Sequence, residues 1–250
     1  MNRPDRTPVR PPAQGTQQRS GAWTVDHAVR ALATACAEWQ RPVPQVGALV
    51  LGPDSVMLRL SCPDEAPPAG WIAEQAGRTW TMPLRELHSA PVSDHVTDAL
   101  PMLVSIGAGD EGRVMLNLAE ANGMISLTGD DALARGMVRS WSRRLTTGPW
   151  AANARVIRVG FEPDQDFTGW DVSRLVEAAQ VLDAPEGGIV LFAAPPQGRD
   201  LYLVDRLLEE PVRRWTVVSV HGENATWRFT VSTDGKVDTG LFKEPLLLRS

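Results

Sequence analysis

The sequence predicts an α/β protein: a P-loop-like, mostly parallel sheet flanked by helices, preceded by a small α+β section and a disordered N-terminal tail. Three observations predict it. From Met102 onward, strand-length apolar runs alternate with helix-length amphipathic stretches, the pattern of βαβ units. Before that point, short apolar runs are separated by tight turns, a hairpin pattern. Residues 1–21 are rich in Pro, Arg, Gln and Thr and lack hydrophobic periodicity, so they bury too little apolar surface to offset their ordering entropy. The expected organisation is a tail (1–21), an α+β section (22–99) and an α/β domain (100–250).

The first helix is expected near Thr24, which can cap it, with Asp26 in its first turn where a negative charge suits the dipole. Val25, Val29, Leu32, Ala33 and Cys36 recur at helical spacing, and Pro42 sets a limit because the residue before a proline avoids the α region. Strands Val46–Leu51 and Val56–Ser61 flank the turn Gly52-Pro53-Asp54. A second pair, Trp71–Ala73 and Arg78–Met82, flanks Gln75-Ala76-Gly77, and a short helix covers Pro83–His88.

In the second section, Met102–Ile106 and Val114–Leu118 read as strands around Gly107–Gly112. Met124–Thr128 is a buried strand and Asp130–Thr146 a helix. Strand Arg155–Gly160, helix Asp171–Leu182, strand Gly188–Ala193 and helix Asp200–Glu209 follow. Strands Arg214–Val220 and Thr226–Val231 close the run, and the turn Asp234-Gly235 points to an antiparallel edge.

The chain has 250 residues, 43% of them hydrophobic and 22% charged, enough for a sizeable core. Its net charge of −5 gives no electrostatic case for non-specific nucleic-acid binding, which needs a concentrated basic surface, and leaves room only for local basic patches. Cys36 and Cys62 fit no disulfide framework or metal cluster and read as reduced thiols. No apolar run reaches the ~18 residues of a membrane span. The N-terminus lacks a secretory signal, so cytoplasmic residence is the default expectation. Lys236 and Lys243 are the only lysines, whereas Arg, Ala, Pro and Trp are plentiful, a usage expected of a GC-rich bacterial genome such as an actinobacterium.

The most informative segment is the strand-to-helix junction Met124-Ile125-Ser126-Leu127-Thr128-Gly129-Asp130-Asp131. A glycine-rich turn at such a junction can offer backbone N–H groups to a phosphate. Upstream stand Pro101-Met102-Leu103-Val104-Ser105-Ile106-Gly107 and Gly112-Arg113-Val114-Met115-Leu116-Asn117-Leu118. In order and pattern, the stretch from Leu100 to Phe192 resembles the motor core of FtsK/HerA-type P-loop ATPases. The resemblance implies a Walker A loop after Met124–Thr128 and a Walker B strand at Ile189–Phe192.

Both sites depart from the pattern. With Gly129 on the first Walker A glycine, Ala134 replaces the second, Arg135 the Lys and Gly136 the Mg²⁺-ligating hydroxyl residue. Asp130 and Asp131 place carboxylates where a phosphate would sit. The strand Ile189–Phe192 runs into Ala193-Ala194-Pro195-Pro196, with no carboxylate for Mg²⁺. The expectation is a chain without enzymatic activity or cofactor, a scaffold for a protein partner in a bacterial regulatory or membrane-associated assembly. The alternative is a nucleotide-binding pseudo-ATPase with Gly129 and Arg135 as residual phosphate contacts.

Arg135, Arg139, Arg143 and Arg144 form a basic stripe on the helix after the junction, readable as a solvated face or as a docking surface for an acidic partner or for nucleic-acid phosphates. The loop Glu162-Pro163-Asp164-Gln165-Asp166 reads as solvated and acidic, too short in ligands for an EF-hand. His27, His88, His95 and His221 lack the spacing of a zinc site or catalytic triad. Ser126 lacks the flanks of a nucleophile elbow. Nine Trp accompany one Tyr. Trp71 and Trp80, expected to face each other across a hairpin, are the candidates for exposed interface anchors, although Trp at element ends also seals cores.

Overall fold

The stripe Val25, Ala28, Val29, Leu32 and Cys36 folds Gly21–Glu38 into helix α1 and is buried by it. The computed structural model describes residues 21–96, 99–121, 123–151, 154–209 and 215–248. The expected tail, Gly21 apart, lies outside them. Because α1 begins at Gly21, Thr24 is a buried interior residue rather than its cap.

Strands β1 (Val46–Leu51) and β2 (Ser55–Leu60) pair antiparallel around Gly52, whose N–H donates to the Ser55 carbonyl at 2.9 Å. Strands β3 (Ile72–Glu74) and β4 (Thr79–Pro83) extend that hairpin, and the short helix α2 (Leu84–Leu87) follows. Strands β5 (Leu103–Gly109) and β6 (Gly112–Asn117) form a further hairpin. Strand β6 also pairs with β1, so the sheet continues across the boundary expected near Ala99.

The second half carries β7 (Met124–Gly129), α3 (Asp131–Thr147), β8 (Val156–Val159), β9 (Trp170–Val172), α4 (Ala179–Leu182) and β10 (Gly188–Phe192). Helix α5 (Arg199–Glu209) and strands β11 (Trp215–Val220), β12 (Trp227–Val231), β13 (Lys236–Asp238) and β14 (Leu246–Leu247) complete it. Among the described residues fourteen strands join one sheet in the order β3-β4-β2-β1-β6-β5-β14-β13-β12-β7-β11-β10-β8-β9.

The expected mostly parallel sheet is corrected here. Among the described residues eight of the thirteen strand pairings are antiparallel, and the parallel ones are confined to the segment β12-β7-β11-β10-β8-β9. The tight turns before residue 120 are too short for crossovers, so they can only make hairpins. Strands β13 and β14 are antiparallel as expected, yet they sit inside the sheet, bridging β12 to β5.

Helices cover both faces of the parallel segment. Ala134, Val138, Trp141 and Leu145 of α3 pack with Ile125, Leu127, Ile189, Leu191 and Val218 on one face. Val204 and Leu207 of α5 pack with Met124, Val190, Phe192 and Val217 on the other. Helix α1 covers the antiparallel hairpins with Trp71, Trp80 and Trp150. The helix expected over Asp171–Leu182 is shorter: Asp171 lies in edge strand β9, then a 3₁₀ turn at Leu175–Ala178 leads into α4.

The step from β11 to β12 spans only residues 221–226, although β7 lies between them and all three strands are parallel. A parallel crossover commonly needs a dozen residues or more. The short path lies tight on the sheet: a Cβ on Gly222 would stand 3.0 Å from the Ser219 Cβ and 3.1 Å from the Met124 Cε. His221 and Asn224 both take positive φ, 54°, to make the turns.

Candidate functional site

Strand β7 passes into α3 through a single residue, Asp130. Its backbone is extended, φ −66° and ψ 115°, and its carboxylate accepts the Leu133 N–H at 2.9 Å. Its carbonyl accepts the Ala134 N–H at 2.9 Å, and its own N–H donates to the Val231 carbonyl at 2.8 Å. The Asp130, Leu133 and Ala134 N–H groups at the junction are therefore engaged within the protein.

Gly129 is held against β12. Its φ is +97°, and a Cβ there would stand 2.1 Å from the Val231 oxygen. The glycine serves close approach of two strands. The positions that align with the Walker A Gly-Lys-hydroxyl series, Ala134, Arg135 and Gly136, lie inside α3, with Ala134 buried in the core.

Arg135 is turned toward its own helix, its Nε donating to Asp131 Oδ2 at 2.8 Å. The other oxygen of Asp131 lies 3.3 Å from His221 Nε2. The Arg135 hydrogen bond is the leading reason the Asp131 carboxyl titrates below its ordinary range. Across the sheet, β10 ends at Phe192 and the Ala193 N–H donates to the Val159 carbonyl at 3.0 Å. Ala193, Ala194, Pro195 and Pro196 supply no carboxylate there. Among the described residues no group of His, Cys, Asp and Glu is arranged to hold a metal ion.

The basic stripe is largely matched by the chain's own acids. Arg143 donates to both Asp164 oxygens, at 2.8 and 3.1 Å, and lies 3.9 Å from Asp166. Arg139 reaches Glu162 at 4.0 Å, and Arg135 is held by Asp131. Arg144 stands exposed at the last turn. The loop at residues 162–166 is exposed at every position but Asp164, whose side chain is only 7% exposed and anchors it.

The anchor of Asp164 is Arg158, which belongs to no motif in the sequence. Its side chain is fully buried on β8 and donates to both oxygens of Asp171, at 2.6 and 2.5 Å. It also reaches Asp164 at 3.3 Å and the Glu162 carbonyl at 3.2 Å, with the Phe167 ring 4.2 Å from its guanidinium carbon. Arg143, then the Asp166 N–H, and also Arg158 hold the Asp164 carboxyl at a pKa of about 2. An Arg inside an apolar strand, followed by Phe161, Phe167 and Asp171, was the available signal, because a buried guanidinium requires paired acceptors.

Trp71 and Trp80 are not exposed anchors. They are 5% and 0% exposed and belong to the α1 core, with Trp80 Nε1 donating to the Asp64 carbonyl at 2.7 Å. Register places Ala73 opposite Trp80. The large exposed aromatics are Trp39, Trp170 and Tyr202. Ser126 is fully buried, Cys36 is buried and Cys62 exposed, both thiols free. No described helix is long and apolar enough to cross a membrane.

No protein-family profile matches the chain, and no curated protein matches it. Among solved structures, the conjugation coupling protein TcpA of pCW3, in a monomer form with ATPγS, is similar over 83% of this chain and 83% of its own. The identity is 9% and the TM-score 0.35, a level at which the likeness carries no argument.

Proposed function

We propose that this chain is a non-catalytic interaction module, a scaffold built on an α/β frame of the P-loop ATPase type whose phosphate cradle has been replaced by a helix cap. One observation carries the reading: the single-residue junction at Asp130, where the protein's own carboxylate takes the N–H an anion would use. A phosphate arriving there meets two like charges and finds the Leu133 and Ala134 N–H groups already taken.

The frame itself is supported by the parallel segment, which has β7 inside it, helices on both faces and the junction at the carboxyl ends of the strands, where ligands of open α/β sheets bind. The carboxylate-free end of β10 argues in the same direction. The competing reading, a nucleotide-binding pseudo-ATPase, would have to free Arg135 from Asp131, to which it is bonded at 2.8 Å.

Thermal unfolding with and without Mg-ATP separates the two. The scaffold reading expects no shift. A bound nucleotide at ~100 times its dissociation constant would add ~2.7 kcal/mol. A reproducible shift that Arg135→Ala removes would establish the pseudo-ATPase instead.

A further inference from the structure

A second concavity lies away from the junction, where the antiparallel hairpins meet the parallel segment. It has a volume of about 220 Å³ and lies between β1, β2 and β6 on one side and β7 and β12 on the other. Leu116, Ile125, Trp227, Phe229 and Phe242 form its apolar walls. The space exists because Gly47 and Ala48 present almost no side chain on the β1 wall. A cavity of ~150 Å³ admits benzene, so this one accepts a single aromatic ring with a short chain.

Two charged side chains line it, and they differ in availability. Arg59 is occupied: its Nη2 lies 2.6 Å from Glu111 Oε2, and its guanidinium carbon lies 4.9 Å from the Phe242 ring centre. Arg59 is on β2, two strands from β6 in the sheet order. Glu120 closes the 3₁₀ turn after β6, is half-buried at the cavity and has no ion pair among the described residues. The uncompensated charge is therefore negative, and the partly exposed Trp227 ring lines the same cleft, where an aromatic favours a cation.

From this complementarity we propose that the cleft is a binding site for a small organic monocation, an aryl-alkyl ammonium whose ring packs on Trp227 and whose ammonium meets Glu120. Apolar walls supply most of the affinity and the carboxylate selects the charge. The site is independent of the junction at Asp130, so neither proposal's failure touches the other.

Calorimetric titration of the protein with phenethylammonium, phenethyl alcohol and phenylpropionate tests it, since the three share a ring and differ in charge. The expected order is ammonium, then alcohol, then carboxylate, with the ammonium about tenfold ahead of the alcohol. Glu120→Gln should erase the ammonium's lead while the alcohol still binds, which also shows that the variant is folded. Filling the wall with Ala48→Val should weaken all three, with circular dichroism checking its fold. No binding of phenethylammonium at millimolar concentration, a preference for phenylpropionate, or an unchanged ammonium lead in Glu120→Gln would each overturn the proposal.

Discussion

Asp131 Oδ1 lies 3.3 Å from His221 Nε2 while Asp131 Oδ2 accepts the Arg135 Nε–H at 2.8 Å. One carboxylate thus ties the first turn of α3 to the next turn and to the start of the β11–β12 crossover. The Arg135 hydrogen bond holds its pKa below the ordinary 3.8. A group whose folded pKa is depressed stabilises the protein above its unfolded pKa and loses that contribution as pH falls through the folded one. Asp131→Asn is therefore expected to be less stable than the parent at neutral pH. The gap should close as pH drops below about 4 and shrink in high salt, because the pair is exposed. Urea unfolding at stepped pH and ionic strength checks both.

Gly129 and Asp130 are expected to respond differently although they are neighbours. Asp130→Ala removes a helix cap and should cost about 1 kcal/mol, with Asp130→Ser recovering most of it. Gly129→Ala puts a Cβ 2.1 Å from the Val231 oxygen at a φ of +97°, so it should cost at least about 2 kcal/mol. Equilibrium unfolding of the three variants ranks them. A glycine kept only for phosphate approach would tolerate alanine without loss of stability.

Tryptophan exposure gives a sharper contrast. Trp80 is 0% exposed and bonded to the Asp64 carbonyl, so Trp80→Ala should cost about 3–5 kcal/mol. Trp39 is 56% exposed, and Trp39→Ala should fall within about 0.5 kcal/mol of the parent. Denaturant midpoints measured side by side decide it.

These contrasts mark what the sequence made legible. Apolar periodicity placed β1 at its observed ends and found β7 and α3 to within a residue, because each buries a strong apolar pattern. It could not tell which hairpin pairs with which, since the β1–β6 contact depends on tertiary packing between segments some sixty residues apart. Asp171 looked helical because its partner, Arg158, is distant in sequence, and the guanidinium holds it in an edge strand. The carboxylates at the entrance of α3 were readable at Asp130 and Asp131. The pairing of the arginine stripe with the loop at residues 162–166 was not, because ion pairs leave no periodic trace.

That buried cluster yields the last expectation. Arg158 is fully enclosed between Asp171 and Asp164, and removing one member of a buried ionic group costs about 3–5 kcal/mol because it strands the others. Arg158→Met should show a loss of that size, and adding Asp171→Asn should recover part of it. Asp164 has its pKa lowered from 3.8 to about 2, chiefly by Arg143, so its contribution is full above pH 3.8 and fades as pH falls toward 2. Arg143→Ala removes the leading cause and should raise that pKa, moving the onset of acid unfolding to higher pH. Arg144→Ala, on the same turn but facing solvent, should leave the acid transition where it is. Near-ultraviolet circular dichroism followed from pH 7 to pH 1.5 (about the lower limit for Asp titration) tests the pair, and equal acid midpoints for the two variants would sink the assignment.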